Sequence, residues 1–395
     1  MKIAMVTPFL PAPATGGKKI MLDIIRGLVV NNEIYLFSRV EPHEGHDVRE
    51  LEKYCKAVYG YGFETPKERT LWNVFRIIAS YRSLAKLVRS VLKKLEVDVV
   101  VVSFTDLGFF LHKTGGVGVP MVLDTHDVNT LVAARRLAAS RGWGRKLRGY
   151  VWFVLSKWAE SYTTNRFDLL TARSDADASA LKDIADVPVV AVRQPVDAVR
   201  VPVPRKDREP HTLLFVGAMH RELNVSYMRY FYCDVLPLIR KKSPDTVFYM
   251  VGGGVPAEFE EWAKRDGEFK VTGFVDDVSS FYNRAAVFVS PILIGGGIMV
   301  KNLEAMAHGI PVVTTTFGNE GVGAVNGHDI LVADTAESFA DAVLRLLNDA
   351  NLYDMISRNS VEFIRNNFAK DVVIRNTEDA YRQAITRYKN CEAGQ

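Results

Sequence analysis

The chain has 395 residues, 48% of them hydrophobic and 24% charged, and a net charge of +4. That length exceeds one ordinary core and suits two α/β domains of roughly 200 residues each. The mild charge gives no argument for nucleic acid, and three scattered cysteines (Cys55, Cys233, Cys391) exclude a disulfide framework and a cysteine zinc site.

Residues 2–7 predict a short strand, followed by a proline-rich turn and Gly16-Gly17. The first residues resemble a signal peptide's start but run into Pro8 and Pro11, so a strand explains them better. Met21, Ile24, Ile25 and Leu28 then recur at helical spacing. Strand, glycine loop and helix open a doubly wound fold, although the pattern G-x-G-x-x-G is absent. The two glycines form either a plain βα turn or a backbone surface that meets a ligand across a cleft.

Residues 33–38 read as a strand, then a polar stretch leads to a helix over about 71–94. Residues 97–103 form a β-branched apolar run, as a central parallel strand requires. Residues 120–124 are another such run, ending in Thr125-His126-Asp127. Polar residues at a parallel strand's carboxyl end lie where ligands bind, which makes His126 a candidate site residue. Its other reading is a structural histidine satisfied by hydrogen bonds.

Over 141–158, Trp143, Leu147, Tyr150, Val154 and Trp158 share one helical face, opposite Arg141, Arg145 and Arg148. Such a helix can rest on an anionic bilayer or receive a lipid-linked acceptor. More commonly its aromatic face packs on the sheet and the arginines are solvated. No segment reaches the length of a membrane span. Residues 167–171 and 187–192 supply the last strands of this half.

Between 194 and 210 four prolines sit among charged residues without periodicity, as in an interdomain linker. A second βα series follows, with strands at 212–217, 247–252, 269–273 and 286–290. Several end in glycine, clearing one sheet edge for a ligand. Residues 336–388 read as successive helices.

Residues 294–316 carry the sharpest chemistry: a strand end, Gly295-Gly296-Gly297, a short helix stopped by Gly309 and Pro311, and a buried strand. Glycines before a helix let backbone N–H groups approach an anion, and the helix N-terminus adds positive potential. Lys301 and Glu304 lie one turn apart and point the same way. The pattern puts Met299, Leu303, Met306 and Ala307 inward, and Lys301, Glu304 and His308 outward.

Taken in order, these segments resemble the GT-B architecture of nucleotide-sugar-dependent glycosyltransferases over nearly the whole chain. The matching parts are Pro8 with Gly16-Gly17, Asp124-Thr-His-Asp127, Phe215-Val-Gly217, Val271-Thr-Gly-Phe-Val275 with Asp277, and residues 303–313. The last is similar to the second half of the E-x7-E motif of the retaining GT4 family. The resemblance implies two Rossmann-like domains facing each other across a cleft. Their expected bounds are 1–198 for the acceptor domain, completed by a helix at about 372–395, and 199–371 for the donor domain.

It further implies that Glu304 accepts from the donor's ribose hydroxyls and that Gly273, Phe274 and Val275 flank the base. Gly296, Gly297 and Ile298 would offer backbone N–H to the diphosphate, Gly16 and Gly17 would close over the transferred sugar or diphosphate from the other domain, Gly217 would clear the strand end, and His126 would touch the hexose. The chain also departs from the family. Gly296 stands where the first glutamate of E-x7-E belongs, and Ala218 and Asn224 replace two expected basic residues. Lys301 and Arg221 are the nearby substitutes for the cations a diphosphate leaving group needs.

The expected function is a retaining glycosyltransferase with His126, Lys301 and Glu304 as catalytic residues, a UDP- or GDP-sugar as donor, and a glycan, lipid-linked or small-molecule acceptor. No cofactor is expected, nor a metal, there being no cluster of carboxylates and histidines at ligand spacing. The alternatives are a nucleotide-sugar epimerase of the same fold and a non-catalytic two-lobe binding protein. The expected location is the cytoplasm, with peripheral contact at the inner membrane face through 141–158.

Overall fold

The computed structural model describes residues 1–393 except 14–16, 67, 69, 113–117, 139, 141, 197–201 and 295–296. The chain divides into two compact units, residues 1–195 with 373–395, and residues 196–372.

The first unit is built on seven parallel strands: β1 (Lys2–Thr7), β2 (Glu33–Val40), β3 (Ala57–Gly62), β4 (Val99–Ser103), β5 (Met121–Asp124), β6 (Leu169–Ala172) and β7 (Val189–Ala191). Their order is β3-β2-β1-β4-β5-β6-β7, so the winding reverses between β1 and β4. All five residues of β4 are buried, because helices cover both faces of the sheet. Strand β3 lies in the stretch that reads as polar. Its sequence, Ala-Val-Tyr-Gly-Tyr-Gly, carries two glycines that depress strand propensity, and pairing with β2 along its whole length overrides it.

The second unit has six parallel strands: β8 (Thr212–Val216), β9 (Val247–Val251), β10 (Phe269–Gly273), β11 (Val287–Ser290), β12 (Val312–Thr314) and β13 (Leu331–Val332). Their order is β10-β9-β8-β11-β12-β13, with the reversal between β8 and β11. In open α/β sheets such a reversal opens a crevice beyond the strands' carboxyl ends.

The last helix, Lys370–Ala393, returns to the first unit. Ile374, Ala380, Tyr381 and Ala384 join the core formed by Ile25, Leu28 and β1. Gly27 makes this possible, since a Cβ there would lie 2.3 Å from Ile374. In the second unit, buried Arg208 donates to the carbonyls of Tyr282, Ala285 and His308. One side chain thereby satisfies carbonyls left over at two helix ends.

The Trp143–Thr164 helix does not pack its aromatic face on the sheet. Trp143 is 82% exposed and Trp158 60%, and Leu147, Tyr150 and Val154 are exposed with them. Burial is confined to its last turns, where Glu160, Thr163 and Thr164 lie. No helix among the described residues is long and apolar enough to cross a membrane.

Candidate active site

Each unit carries a constellation at its own reversal point. In the second unit three strand-end glycines knit the carboxyl edge together. The Gly217 N–H donates to Val251 O at 2.9 Å, Gly252 N–H to Gly273 O at 3.0 Å, and Met219 N–H to Gly253 O at 2.8 Å. A Cβ on Gly252, whose φ is +149°, would lie 2.0 Å from the Gly217 carbonyl oxygen, so only glycine fits there. The result is an edge of bare backbone. Phe274, 78% exposed, projects directly after β10, beside half-buried Val275.

Across the reversal, the loop after β11 leads through Gly297 (φ +74°) and half-buried Ile298 to the Val300–Ala307 helix. Gly16, Gly295 and Gly296 lie outside the described residues. The helix ends at Gly309 (φ +65°), where the Ile310 N–H donates to Ala305 O, a left-handed glycine cap. It is less two-faced than its sequence reads. Asn302, Ala305 and His308 are buried with Leu303, Met306 and Ala307, and His308 stacks on Tyr282 with ring centroids 4.9 Å apart.

Lys301 and Glu304 are half-buried on this helix. The Lys301 ammonium donates to Asn224 Oδ1 at 3.1 Å and sits 4.2 Å from the Phe215 ring centroid, a cation–π contact. Burial, then the charge of Arg221, lowers its pKa to about 7 against the opposing pull of Glu304. Arg221 itself is exposed at the start of the Glu222–Tyr230 helix. Glu304 accepts from the Tyr282 hydroxyl at 3.3 Å, which fixes its direction. Asn224 stands where the resemblance expects a lysine, and the cation that reaches it comes from the neighbouring helix. The sequence marks Asn224 as a departure from the resemblance and Phe215 as part of it, but nothing in it shows that both meet Lys301.

In the first unit, His126 follows β5 and is buried beneath Phe104, their rings parallel with centroids 4.0 Å apart. Phe104 follows β4 with φ +71°, unusual for a bulky residue and a mark of strain at a ligand edge. Phe9, after β1, meets Phe104 edge-on at 5.2 Å. Gly17 opens the first helix under this pair, where a Cβ would sit 3.2 Å from both rings. Below, Arg173 donates to Asp124 Oδ2 at 2.5 Å and lies 3.2 Å from His126 Nε2.

Burial alone would raise the Asp124 carboxyl, yet Arg173 and His126 hold it down to about 2. Burial, then the Arg173 charge, pushes the His126 imidazole below its ordinary value against the pull of Asp124. His126 is therefore neutral at pH 7. If Nε2 accepts from Arg173, which can only donate, the ring proton is on Nδ1. Tyr381 of the last helix sits near enough to feel Asp124, and burial raises its hydroxyl pKa. Phe104, Phe9 and Arg173 were not visible in the sequence as site residues.

Residues 210–349 match the family model described as "Glycosyl transferases group 1". The chain is 28% identical over 163 residues to an uncharacterized 44.6 kDa protein in the cps region of Klebsiella pneumoniae, covering 40% of this chain and 42% of that protein. It is 30% identical over 109 residues to the capsular polysaccharide biosynthesis glycosyltransferase CapM of Staphylococcus aureus, covering 27% of this chain and 28% of CapM. The chain thus spans less than half the length of these curated relatives. Sucrose-phosphate synthase from Thermosynechococcus elongatus superposes with a TM-score of 0.70 at 17% identity, covering 98% of this chain and 100% of that one. Anabaena Alr3699/HepE, solved in complex with UDP, gives 0.68 at 13% identity, with 97% and 100% covered. These likenesses establish the fold as GT-B.

Proposed function

We propose that this chain, whose residues 210–349 belong to the glycosyl transferases group 1 family, is a retaining glycosyltransferase that moves a sugar from a nucleotide-diphosphate donor to an acceptor hydroxyl. The donor is read onto the second unit and the acceptor onto the first. Lys301 carries the reading. Its ammonium is largely buried, held by a neutral Asn224, and has no carboxylate within ion-pair distance among the described residues. A buried cation so placed is costly until an anion arrives, and a diphosphate at the glycine-lined edge supplies one.

In this reading the bond from C1 to the diphosphate oxygen breaks as the acceptor oxygen bonds C1 on the same face. The acceptor proton passes to the leaving phosphate, so no protein nucleophile is needed. Lys301 and Arg221 offset the charge growing on the β-phosphate. Glu304 takes the ribose hydroxyls, and Gly273, Phe274 and Val275 flank the base. Neutral His126 donates to a hydroxyl of the hexose. The UDP complex of the Anabaena neighbour supports testing UDP-sugars first.

The cps-region protein and CapM support a surface polysaccharide as the product class. The exposed face of the Trp143–Thr164 helix supports contact with a membrane surface and hence a lipid-linked acceptor: an apolar stripe with Arg145, Lys146, Arg148 and Lys157 on the same helix is suited to an anionic lipid interface. The test is UDP-sugar turnover by wild type and by Lys301→Ala and Glu304→Ala. Loss of transfer in Lys301→Ala and a raised donor KM in Glu304→Ala are expected, and transfer surviving both changes with unaltered donor affinity sinks the reading. Product analysis with donor alone separates transfer from epimerisation.

A further inference from the structure

In the first unit, four helical segments enclose an apolar cavity of about 610 Å³, within the range of small-molecule pockets. Its walls include Ile78 from the Leu71–Leu92 helix, Phe110, Val132 and Ala133 from the Asn129–Ala138 helix, and Trp152 and Leu155 from the Trp143–Thr164 helix. Most of its lining is apolar, with Thr105, Asp106, Asn129, Arg136, Ser156 and Glu160 among the polar residues that reach it. Thr105 is buried and its hydroxyl has no hydrogen-bond partner. Burial raises the pKa of the Asp106 carboxyl, which makes no hydrogen bond or ion pair among the described residues. Glu160 is spent on the backbone N–H groups of Asn129 and Thr130, at 2.9 and 2.8 Å.

We propose that this cavity binds the hydrocarbon chain of a lipid-linked acceptor. A polar ligand would leave most of its groups unmatched by such walls. A second copy of the chain could cover the exposed helix face but would not fill a cavity within one unit. The surroundings fit a lipid as well. Four of the five tryptophans (Trp72, Trp143, Trp152, Trp158) are exposed on two of the helices that border the cavity, and such side chains favour the bilayer interface. Arg136 lines the cavity and is exposed, positioned to meet a lipid phosphate.

The cavity and the His126 site are neighbours along the chain. Thr105 and Asp106 line it and directly follow Phe104, which stacks on His126. A chain in the cavity would therefore carry its polar head toward Phe104 and His126. Only the placement of the head rests on the glycosyltransferase reading; the chain site stands without it.

The experiment is a titration with a bromine-tipped dodecyl phosphate, read as quenching of tryptophan fluorescence. Wild type should show saturable quenching, weakened at least about tenfold in Val132→Phe and Ala133→Phe, with UDP affinity unchanged. Val132 is only half-buried, so its variant keeps the test open if the Ala133 variant misfolds. A Trp143→Glu/Leu147→Glu/Val154→Glu variant should lose binding to anionic vesicles yet keep saturable quenching by the probe. Undiminished probe affinity in folded Val132→Phe overturns the proposal, as does concentration-dependent dimerisation that excludes the probe. Saturable probe binding without transfer from any nucleotide sugar sinks the glycosyltransferase reading and spares the cavity. Transfer without probe binding does the reverse.

Discussion

At the reversal of the second sheet the ligand edge is backbone and charge: Gly217, Gly252 and Gly273 woven together, with one buried ammonium beside them. At the reversal of the first sheet it is aromatic, Phe9 against Phe104 against a His126 that burial keeps neutral, over the buried Arg173–Asp124 ion pair. The first kind of edge suits a diphosphate, whose recognition needs N–H groups and cations close at hand. The second suits a sugar face and an apolar chain. A shared strand topology thus presents two chemically different edges through the residues that follow each strand.

The largest expected effect is at Lys301. Lys301→Ala should lower kcat/KM by about 100-fold or more, the scale set by removing one preorganised charge-stabilising donor. Because Lys301 reaches Asn224, restoring a lysine from the other helix, as Asn224→Lys in the Lys301→Ala background, should recover part of that loss. If steady-state rates show no recovery, the equivalence of the two positions fails. Glu304→Ala should raise the donor KM by about 10-fold or more while sparing kcat, as expected for a charged hydrogen bond to the ribose made in ground and transition states alike.

Changes in the first unit should leave nucleotide binding alone. Phe104→Ala removes the ring that covers His126 and should raise acceptor KM by about 3- to 10-fold, the worth of an aromatic stack. UDP affinity measured by calorimetry should not move. A parallel loss of UDP affinity would break the contrast between the two edges.

The smallest effect concerns stability. The Lys301 pKa lies near 7 when folded against an ordinary value of 10.5, so the unfolded chain binds the extra proton between those values. Stability of the unliganded protein should then rise with pH above 7. Lys301→Met should flatten that rise, and a melting-temperature series from pH 7 to 9 on both proteins checks it.

Periodicity made the strands of both sheets readable, since buried parallel strands are continuous β-branched runs, and glycines at strand ends marked the ligand edge. Strand β3 was not readable, its glycines being tolerated only because β2 pairs with it. Lys301 and Glu304 could be singled out by their spacing behind a glycine loop. The contact of Lys301 with Asn224 and Phe215 could not be, because it arises from packing of the Val300–Ala307 helix against a helix and a strand far away in sequence. The Trp143–Thr164 helix shows the limit plainly. Its pattern fits a face packed on the sheet as well as a face turned outward, and only the fold decides that it is exposed.

The central claim is that Lys301 receives the diphosphate. A half-charged ammonium with pKa near 7 must gain a proton when an anion binds it at higher pH. Calorimetric titration of a UDP-sugar at pH 8, in two buffers of different ionisation enthalpy, measures that proton directly. The account predicts uptake approaching about one proton per nucleotide, abolished in Lys301→Met. Tight binding with no proton uptake, or uptake that persists in Lys301→Met, would contradict it.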